Sequence, residues 1–497
     1  MAELPKEELK LGPMLICLLI GAFVGILNET LLATALPSIM VDFGINENQV
    51  QWLTTAYLLT NGVMIPITAF LIERFSTRKL FITAFSLFGL GTLIAALSHS
   101  FPLLLTARVV QAMGSGIMLP LMMTVILTVI PREKRGGAMG LAGIVISFGP
   151  AIGPTLSGYL LEHFSWRGLF YVVLPIVIFT IILAIFVVKN VTKLTYPKID
   201  ILSILLSSFG FGGLLYGVSI GGAGHGGSGH SNWTDPLVLA WIIGGAISLG
   251  LFIWRQLVIK TPLLQFRVFK FPTFSLSLVI TMIVMISLIG AETVLPLYMQ
   301  TLRGFSPLES GLMLLPGAIV IGIMSPITGM LFDKIGARML AIPGLIIVTV
   351  TTFLFTNLTM ETSFTALATI YAVRMFGLSM AMMPVMTAGL NQIPDKWNAH
   401  GSAMANTMQQ VSAAIGTAIL ITIMTTTRAN YVPKVSELEG LSEAAAQQQV
   451  LENASLSGFN AIFLTASILA LVGAVLALFI KQDKATGTEG KREMMVH

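Results

Sequence analysis

Ala69-Phe70-Leu71-Ile72-Glu73-Arg74-Phe75-Ser76-Thr77-Arg78 has an echo far down the same chain, Gly329-Met330-Leu331-Phe332-Asp333-Lys334-Ile335-Gly336-Ala337-Arg338. A small residue, an acid, a base, a second small residue and an arginine recur at one spacing. Each segment joins two long apolar blocks, so the repeat marks equivalent loops of two homologous halves, both on one side of a membrane. Working outward, apolar blocks fall at 12–34, 50–72, 79–98, 104–127, 138–160, 168–188, 201–221, 236–257, 273–297, 308–330, 339–359, 364–388, 404–427 and 458–481. Each can cross about 30 Å of hydrocarbon as a helix of roughly 20 residues. The repeat places six spans in each half if spans seven and eight are an insertion. The expected organisation is an all-α polytopic membrane protein of fourteen helices: a six-helix bundle over 1–198, two added helices with a glycine-rich external loop over 199–260, and a second bundle over 261–497 with an external loop at 428–457.

Composition agrees. Charged residues make up 10% of the chain and hydrophobic ones 55%, against about 25% charged in a soluble domain. Membrane barrels are excluded because the blocks lack short alternating patterning. The net charge of +5 does not point to nucleic acid, since the basic residues sit in short loops. With both termini inside, nearly all loop lysines and arginines become cytoplasmic and only Arg167, Arg303, Arg428 and Lys434 face out, as the positive-inside rule requires. The single cysteine, Cys17, excludes an intrachain disulfide. His225 and His230 lie in a glycine-rich external linker and are assigned no metal.

Four charged residues remain within spans: Glu29, Glu292, Arg108 and Arg374. A charge in hydrocarbon costs at least about 2.5–3.5 kcal/mol on insertion scales, so such groups face the bundle interior or a wet cavity. Glu29 and Glu292 are the candidates for carrying a proton, because desolvation favours a protonated carboxyl. Arg108 keeps its charge and is expected to tune a nearby carboxylate, with Gln111 one turn away. Asn28, Gln111, Arg374, Asn406 and Gln409 are candidates for lining a substrate cavity. Span five is rich in Gly140, Gly143, Gly149, Pro150, Gly153, Pro154 and Gly158, which let another helix approach and move. The repeated loops are expected to act as a cytoplasmic latch through Glu73, Arg74, Arg78, Asp333, Gly336 and Arg338.

On these residues the chain resembles the fourteen-helix drug:proton antiporters of the major facilitator superfamily, in particular the EmrB/QacA subfamily with its LmrB-like lincomycin-resistance members. The resemblance is carried by Leu27-Asn28-Glu29-Thr30 through Ala35-Leu36-Pro37, the Ala69–Lys79 loop, Leu105–Gly116, Gly140–Gly158 and Trp166-Arg167-Gly168-Leu169-Phe170. It implies that Arg108 is the proton-coupling arginine, that Gly149, Pro150, Gly153, Pro154 and Gly158 form the antiporter motif, and that Asp333, Gly336 and Arg338 belong to the second loop motif. Asn28 stands where the family often has aspartate. The first loop has Ala69, Glu73 and Ser76 in place of glycine, aspartate and glycine. The implied function is proton-driven export of small amphipathic drugs, lincomycin among them, by alternating access; the alternative is a dedicated exporter of an amino acid, peptide or other metabolite. Neither needs an enzyme activity or a bound cofactor, only the transmembrane proton gradient. Expected partners are the substrate, protons and membrane lipid, with no nucleic acid and no obligatory protein partner. The expected location is the bacterial cell membrane.

Overall fold

The computed structural model describes residues 11–192, 194–196, 200–223, 233–433 and 442–481; His225, His230, Lys434, Glu437 and Glu439 lie outside them. Among the described residues, 14 helices are long and apolar enough to cross a membrane. In the first half these are α1 (Leu11–Leu31), α3 (Glu47–Arg74), α4 (Thr77–Ala96), α5 (Phe101–Val129), α6 (Arg135–His163) and α7 (Gly168–Val187). The inserted pair is α8 (Ile201–Ala223) and α9 (Pro236–Val258). The second half comprises α10 (Pro272–Thr301), α11 (Pro307–Ile335), α12 (Ala337–Leu354), α13 (Phe364–Asn391), α14 (Asn398–Ala429) and α15 (Glu443–Ala477).

The two halves start and stop equivalent helices with the same devices. Asn46 and Gln49 form a reciprocal capping box ahead of α3, and Ser306 with Glu309 does the same for α11. A three-residue 3-10 turn after Pro131 leads into α6, and another after Pro394 leads into α14.

Several boundaries differ from the sequence reading, among them the start of α14 at Asn398 rather than 404. Span one stops at Leu31, and a separate short helix, α2 (Leu36–Phe43), follows it with Pro37 in its first turn. Gly44, at φ 62°, ends α2 in a left-handed conformation that favours glycine. The loop expected to run to 457 instead gives way at Glu443 to the beginning of α15. Ser442 caps it, and Glu-Ala-Ala-Ala-Gln-Gln-Gln is helix-forming sequence with nothing to interrupt it before the membrane.

The halves meet along two unlike seams. On one side α6 and α11 run against each other over their full length, a larger contact than between any other two described helices. Glycines set the spacing. A Cβ on Gly136 would sit 2.3 Å from Gly329 O, one on Gly140 would sit 2.4 Å from Ser325 O, and near the far end one on Gly311 would meet Thr155 Oγ1 at 2.6 Å. On the other side the inserted α8 touches both α3 and α14. Leu215 fills the space over Gly62, Trp52 stacks on Tyr216 with ring centroids 5.5 Å apart, and Trp233 Nε1 donates to Thr422 Oγ1 at 2.9 Å. Helix α9 packs on α8 and turns Ile243, Ile247, Leu251 and Trp254 outward, an apolar surface suited to lipid.

The loops α3–α4, α5–α6, α11–α12 and α13–α14 carry Arg74, Arg78, Lys79, Arg132, Lys134, Arg135, Lys334, Arg338 and Lys396, and all lie at one end of the bundle. This end is called the basic face below.

Candidate functional site: a buried carboxylate–arginine set in each half

The four embedded charges fall into two sets, one per half. In the first, Arg108 on α5 is fully buried. Its Nε donates to Leu53 O on α3 at 3.3 Å and its Nη1 to Gln111 Oε1 at 2.9 Å, while Gln111 Nε2 donates to Thr92 Oγ1 on α4 at 2.9 Å. The guanidinium lies 4.1 Å from the ring centroid of Tyr57, whose hydroxyl donates to Ser115 Oγ at 2.8 Å. Arg108 Nη2 has no hydrogen-bond partner. Glu29 on α1 interacts electrostatically with Arg108 and Tyr57, yet the direct ion pairs among the described residues all lie elsewhere. Asn28, buried beside it, has an unpartnered Nδ2.

The second half repeats the arrangement. Arg374 on α13 is fully buried, its Nε donating to Thr352 Oγ1 at 3.1 Å and its Nη2 to Ser287 O at 2.6 Å, with Nη1 unpartnered. Glu292 on α10 interacts with Arg374 and with the buried Tyr371 one turn before it. Thr92 on α4 and Thr352 on α12 occupy matching helices. Where the first half has Gln111 as a bridge, the second has Gly377 three residues after its arginine, and Arg374 reaches the threonine directly. An arginine with an open donor beside an unbonded carboxylate is poised to trade partners when a proton or a ligand arrives.

The other sequence candidates divide by position. Gln111 and Arg374 are engaged within their own halves by the bonds just given. Asn406 and Gln409 on α14 are both buried: Asn406 Nδ2 lies 3.3 Å from Met123 Sδ on α5 of the other half, whereas Gln409 Nε2 lies 3.4 Å from Met386 Sδ on α13 within its own half. The antiporter-motif glycines serve two neighbours. Gly140 and Gly158 face α11 across the seam, whereas Gly149 and Gly153 face Ile26 and Thr30 of α1, where a Cβ on Gly153 would be 2.1 Å from Thr30 Oγ1. Pro150 and Pro154 lie inside α6. Trp166 and Arg167 tie α7's start to α2 through Asp42, whose carboxyl is held below its ordinary value by hydrogen bonds from Trp166 and Arg167.

The loop acids reach across to the facing half. Asp333 reaches across the halves to the N-terminus of α6, accepting from Gly136 N at 2.9 Å and Gly137 N at 3.1 Å, where free backbone donors and the helix dipole favour an anion. Glu73 pairs with His400 Nε2 on α14 at 2.9 Å. Arg78 is held inside its own half by Ile185 O, Gly336 makes the turn between α11 and α12 at φ 82°, Arg74 lies against the Phe70 ring, and Arg338 begins α12. His400 was missed by sequence reasoning because hydropathy starts its span at 404. Its position six residues after Pro394, as Gly137 stands six after Pro131, is the signal that finds it.

Other bonds between the halves cluster at the same end. Arg135 donates to Asn391 Oδ1 and Asp395 Oδ1, Thr124 bonds Ser402, and Asn398 Nδ2 donates to Leu127 O. The basic face is closed. A cavity of about 320 Å³ at the ends of α10, α14 and α15 opposite the basic face, lined by Leu297, Arg428, Glu452 and Phe459 among others, lies within the second half, and none of the four embedded charges lines it.

Comparison with known proteins decides the family. The Major Facilitator Superfamily model matches residues 18–417. The chain belongs to the Major Facilitator Superfamily. An uncharacterized MFS-type transporter, YcnB of Bacillus subtilis (strain 168), is 51% identical over 467 residues, 94% of each chain. The lincomycin resistance protein LmrB of Listeria monocytogenes serovar 1/2a is 43% identical over 479 residues, 96% of this chain and 98% of that one. In fold, the chain is similar to the proton:xylose symporter XylE, with a TM-score of 0.64 at 14% identity, covering 97% of this chain and 98% of that one. This facilitator is thus a multi-pass membrane transporter related to drug-efflux proteins, not an enzyme, and its family draws on the proton gradient rather than a bound cofactor.

Proposed function

We propose that this facilitator exports small amphipathic molecules, lincosamides among them, in exchange for protons entering from the opposite side, with the basic face cytoplasmic. The observation that carries the reading is the pair of matched carboxylate–arginine sets, the embedded charges of the described spans. Glu29 and Glu292 take up and release the proton. Arg108 and Arg374 hold their open donors for the deprotonated carboxylates or for polar atoms of the cargo, and Asn28 supplies a neutral donor beside Glu29. Asn406 and Gln409 become cavity-facing when the basic face opens, and the glycines of α6 let it move against α1 and α11. The relatives named for lincomycin resistance support the substrate class.

The test is substrate-triggered proton movement in proteoliposomes, with lincomycin and a lipophilic cation as cargo. Saturable proton release is expected in the parent and is lost in Glu29→Gln and Arg108→Ala while thermal stability shows both folded. Flux indifferent to the proton gradient and to both substitutions would overturn the coupling.

A further inference from the structure

The sequence at the end of α5, Met123-Thr124-Val125-Ile126-Leu127-Thr128-Val129-Ile130-Pro131, has a counterpart at the end of α13, Met386-Thr387-Ala388-Gly389-Leu390-Asn391-Gln392-Ile393-Pro394. Methionine, threonine, leucine, isoleucine and proline recur at one spacing, so Met123 and Met386 are equivalent residues of the two halves. The fold brings both to one helix. Asn406 Nδ2 on α14 lies 3.3 Å from Met123 Sδ, and Gln409 Nε2, a turn further along, lies 3.4 Å from Met386 Sδ.

We infer that these two amides recognise an uncharged oxygen acceptor of the cargo, an amide carbonyl or a hydroxyl, by exchanging the thioether sulfurs of Met123 and Met386 for it. The inference rests on the export reading above and names the chemical class of cargo group that this part of the interface takes.

The sulfurs are weak partners for donors that have little else. A thioether accepts a hydrogen bond poorly. Asn406 Nδ2 donates also to Ser402 O at 2.8 Å, while for Gln409 Nε2 the sulfur is the one acceptor among the described residues. Both amides and both methionines are buried, where a donor gains most from a full-strength acceptor. A cargo oxygen at either nitrogen replaces a weak bond by a strong one, whereas a purely apolar cargo surface leaves the donor stranded. Methionine suits the exchange, being unbranched and adaptable. Packing around Met386 is loose: a void of about 10 Å³ adjoins it, lined also by Ser277, Thr281 and Ala405, and the Ser277 hydroxyl has no partner.

Position fixes both the route and the charge of the group recognised. Met123 stands eight residues before Pro131, roughly 12 Å along the helix from the basic face. The bonds of Thr124 with Ser402 and of Asn398 with Leu127 O help to close that face, and cargo entering from it meets the amides once they part. No ionisable residue occurs at 120–128, 382–390 or 402–412. Arg108 is fifteen residues before Met123 and Arg374 twelve before Met386, roughly 22 and 18 Å along their helices. The group held here is therefore neutral, and cargo oxygen and proton occupy separate levels of the same bundle.

The test compares two cargoes in proteoliposomes of the full chain. Lincomycin carries an amide carbonyl and sugar hydroxyls; tetraphenylphosphonium is a lipophilic cation without oxygen. Asn406→Leu and Gln409→Met remove the donors at nearly constant volume, and the ratio of the lincomycin KM to the tetraphenylphosphonium KM should rise at least about tenfold. Met123→Leu and Met386→Leu remove the competing sulfur and should lower that ratio, a readout that stands even where an amide variant fails to fold. A ratio unchanged in every folded variant, or moved the same way by amide and methionine substitutions, overturns the inference while leaving export itself intact. A parent that carries tetraphenylphosphonium but not lincomycin overturns the cargo class, and one that carries neither overturns the export reading as well.

Discussion

Arg108 and Arg374 are each a full charge with no solvent exposure, and each is anchored by a different set of side chains. Because Arg108 uses three separate directions, toward Leu53 O, Gln111 and the Tyr57 face, Arg108→Lys keeps the charge but loses the fork and the stack. Such a protein should fold, and substrate-driven proton release should fall at least about tenfold, the equivalent of roughly 1.4 kcal/mol. Thr92→Val strands Gln111 Nε2 and should cost about 1–3 kcal/mol in thermal stability. Outside the membrane, Asp200 is held below its ordinary value first by hydrogen bonds from Arg255, tying the start of α8 to the end of α9. A carboxyl depressed in the folded state contributes stability that is complete above its unfolded value near 3.9 and is lost as pH falls through the folded value. Asp200→Asn should therefore lower the melting temperature at pH 7 only slightly, because the pair is part-exposed, and the difference from the parent should vanish in acid below that range. At this scale the embedded charges are legible in the sequence, since a lone charge in an apolar block has no bland place to go. His400 is not legible in the same way, because its partner comes from the other half of the chain and its polarity reads as loop.

Helix α6 shows what a glycine-rich span does once it is placed. Gly136→Ala pushes a methyl into Gly329 O and the Asp333 carboxylate, and Gly153→Ala pushes one into Thr30. Overpacking of this kind costs about 1–3 kcal/mol. Gly158→Ala meets only Leu308 at 3.7 Å, an ordinary contact. Thermal melts of the three variants should separate the first two from the third, and transport should follow the same order. The sequence shows that this span is built for close approach but leaves open to what. Its spacing puts glycines on more than one face, and only the packed bundle assigns Gly140 to α11 and Gly149 to α1. The long α15 makes a complementary point: hydropathy finds the membrane-spanning part and stops at 458, while the polar first turns are helical because their propensity and cap say so.

At the scale of the whole molecule, bonds between the halves gather at the basic face, and a tether there should stop the cycle. Glu73→Cys with His400→Cys, bridged by a short bifunctional thiol reagent, should abolish lincomycin flux, and a reducible bridge should restore it on cleavage. Unimpeded flux in the bridged protein would show that this end does not open. The fourteen spans are legible from the apolar blocks and the division into halves from the loop repeat, since equivalent loops imply equivalent surroundings. The location of the inserted pair is not, because apolar helices that face lipid on one side and protein on the other carry no mark of which seam they fill.

The unequal seams bear on how such a body can part. Along α6 and α11 the two halves are bound backbone to backbone from one membrane surface to the other, as the leaves of a volume are bound at the spine. Along α3 and α14 they also touch directly, and α8 with the turn after it lies across the join, a bookmark that grips one page at Trp52 and Gly62 and, through Trp233, the other at Thr422. A volume so bound opens at its fore-edge, and its marker must travel with one leaf or slide between them.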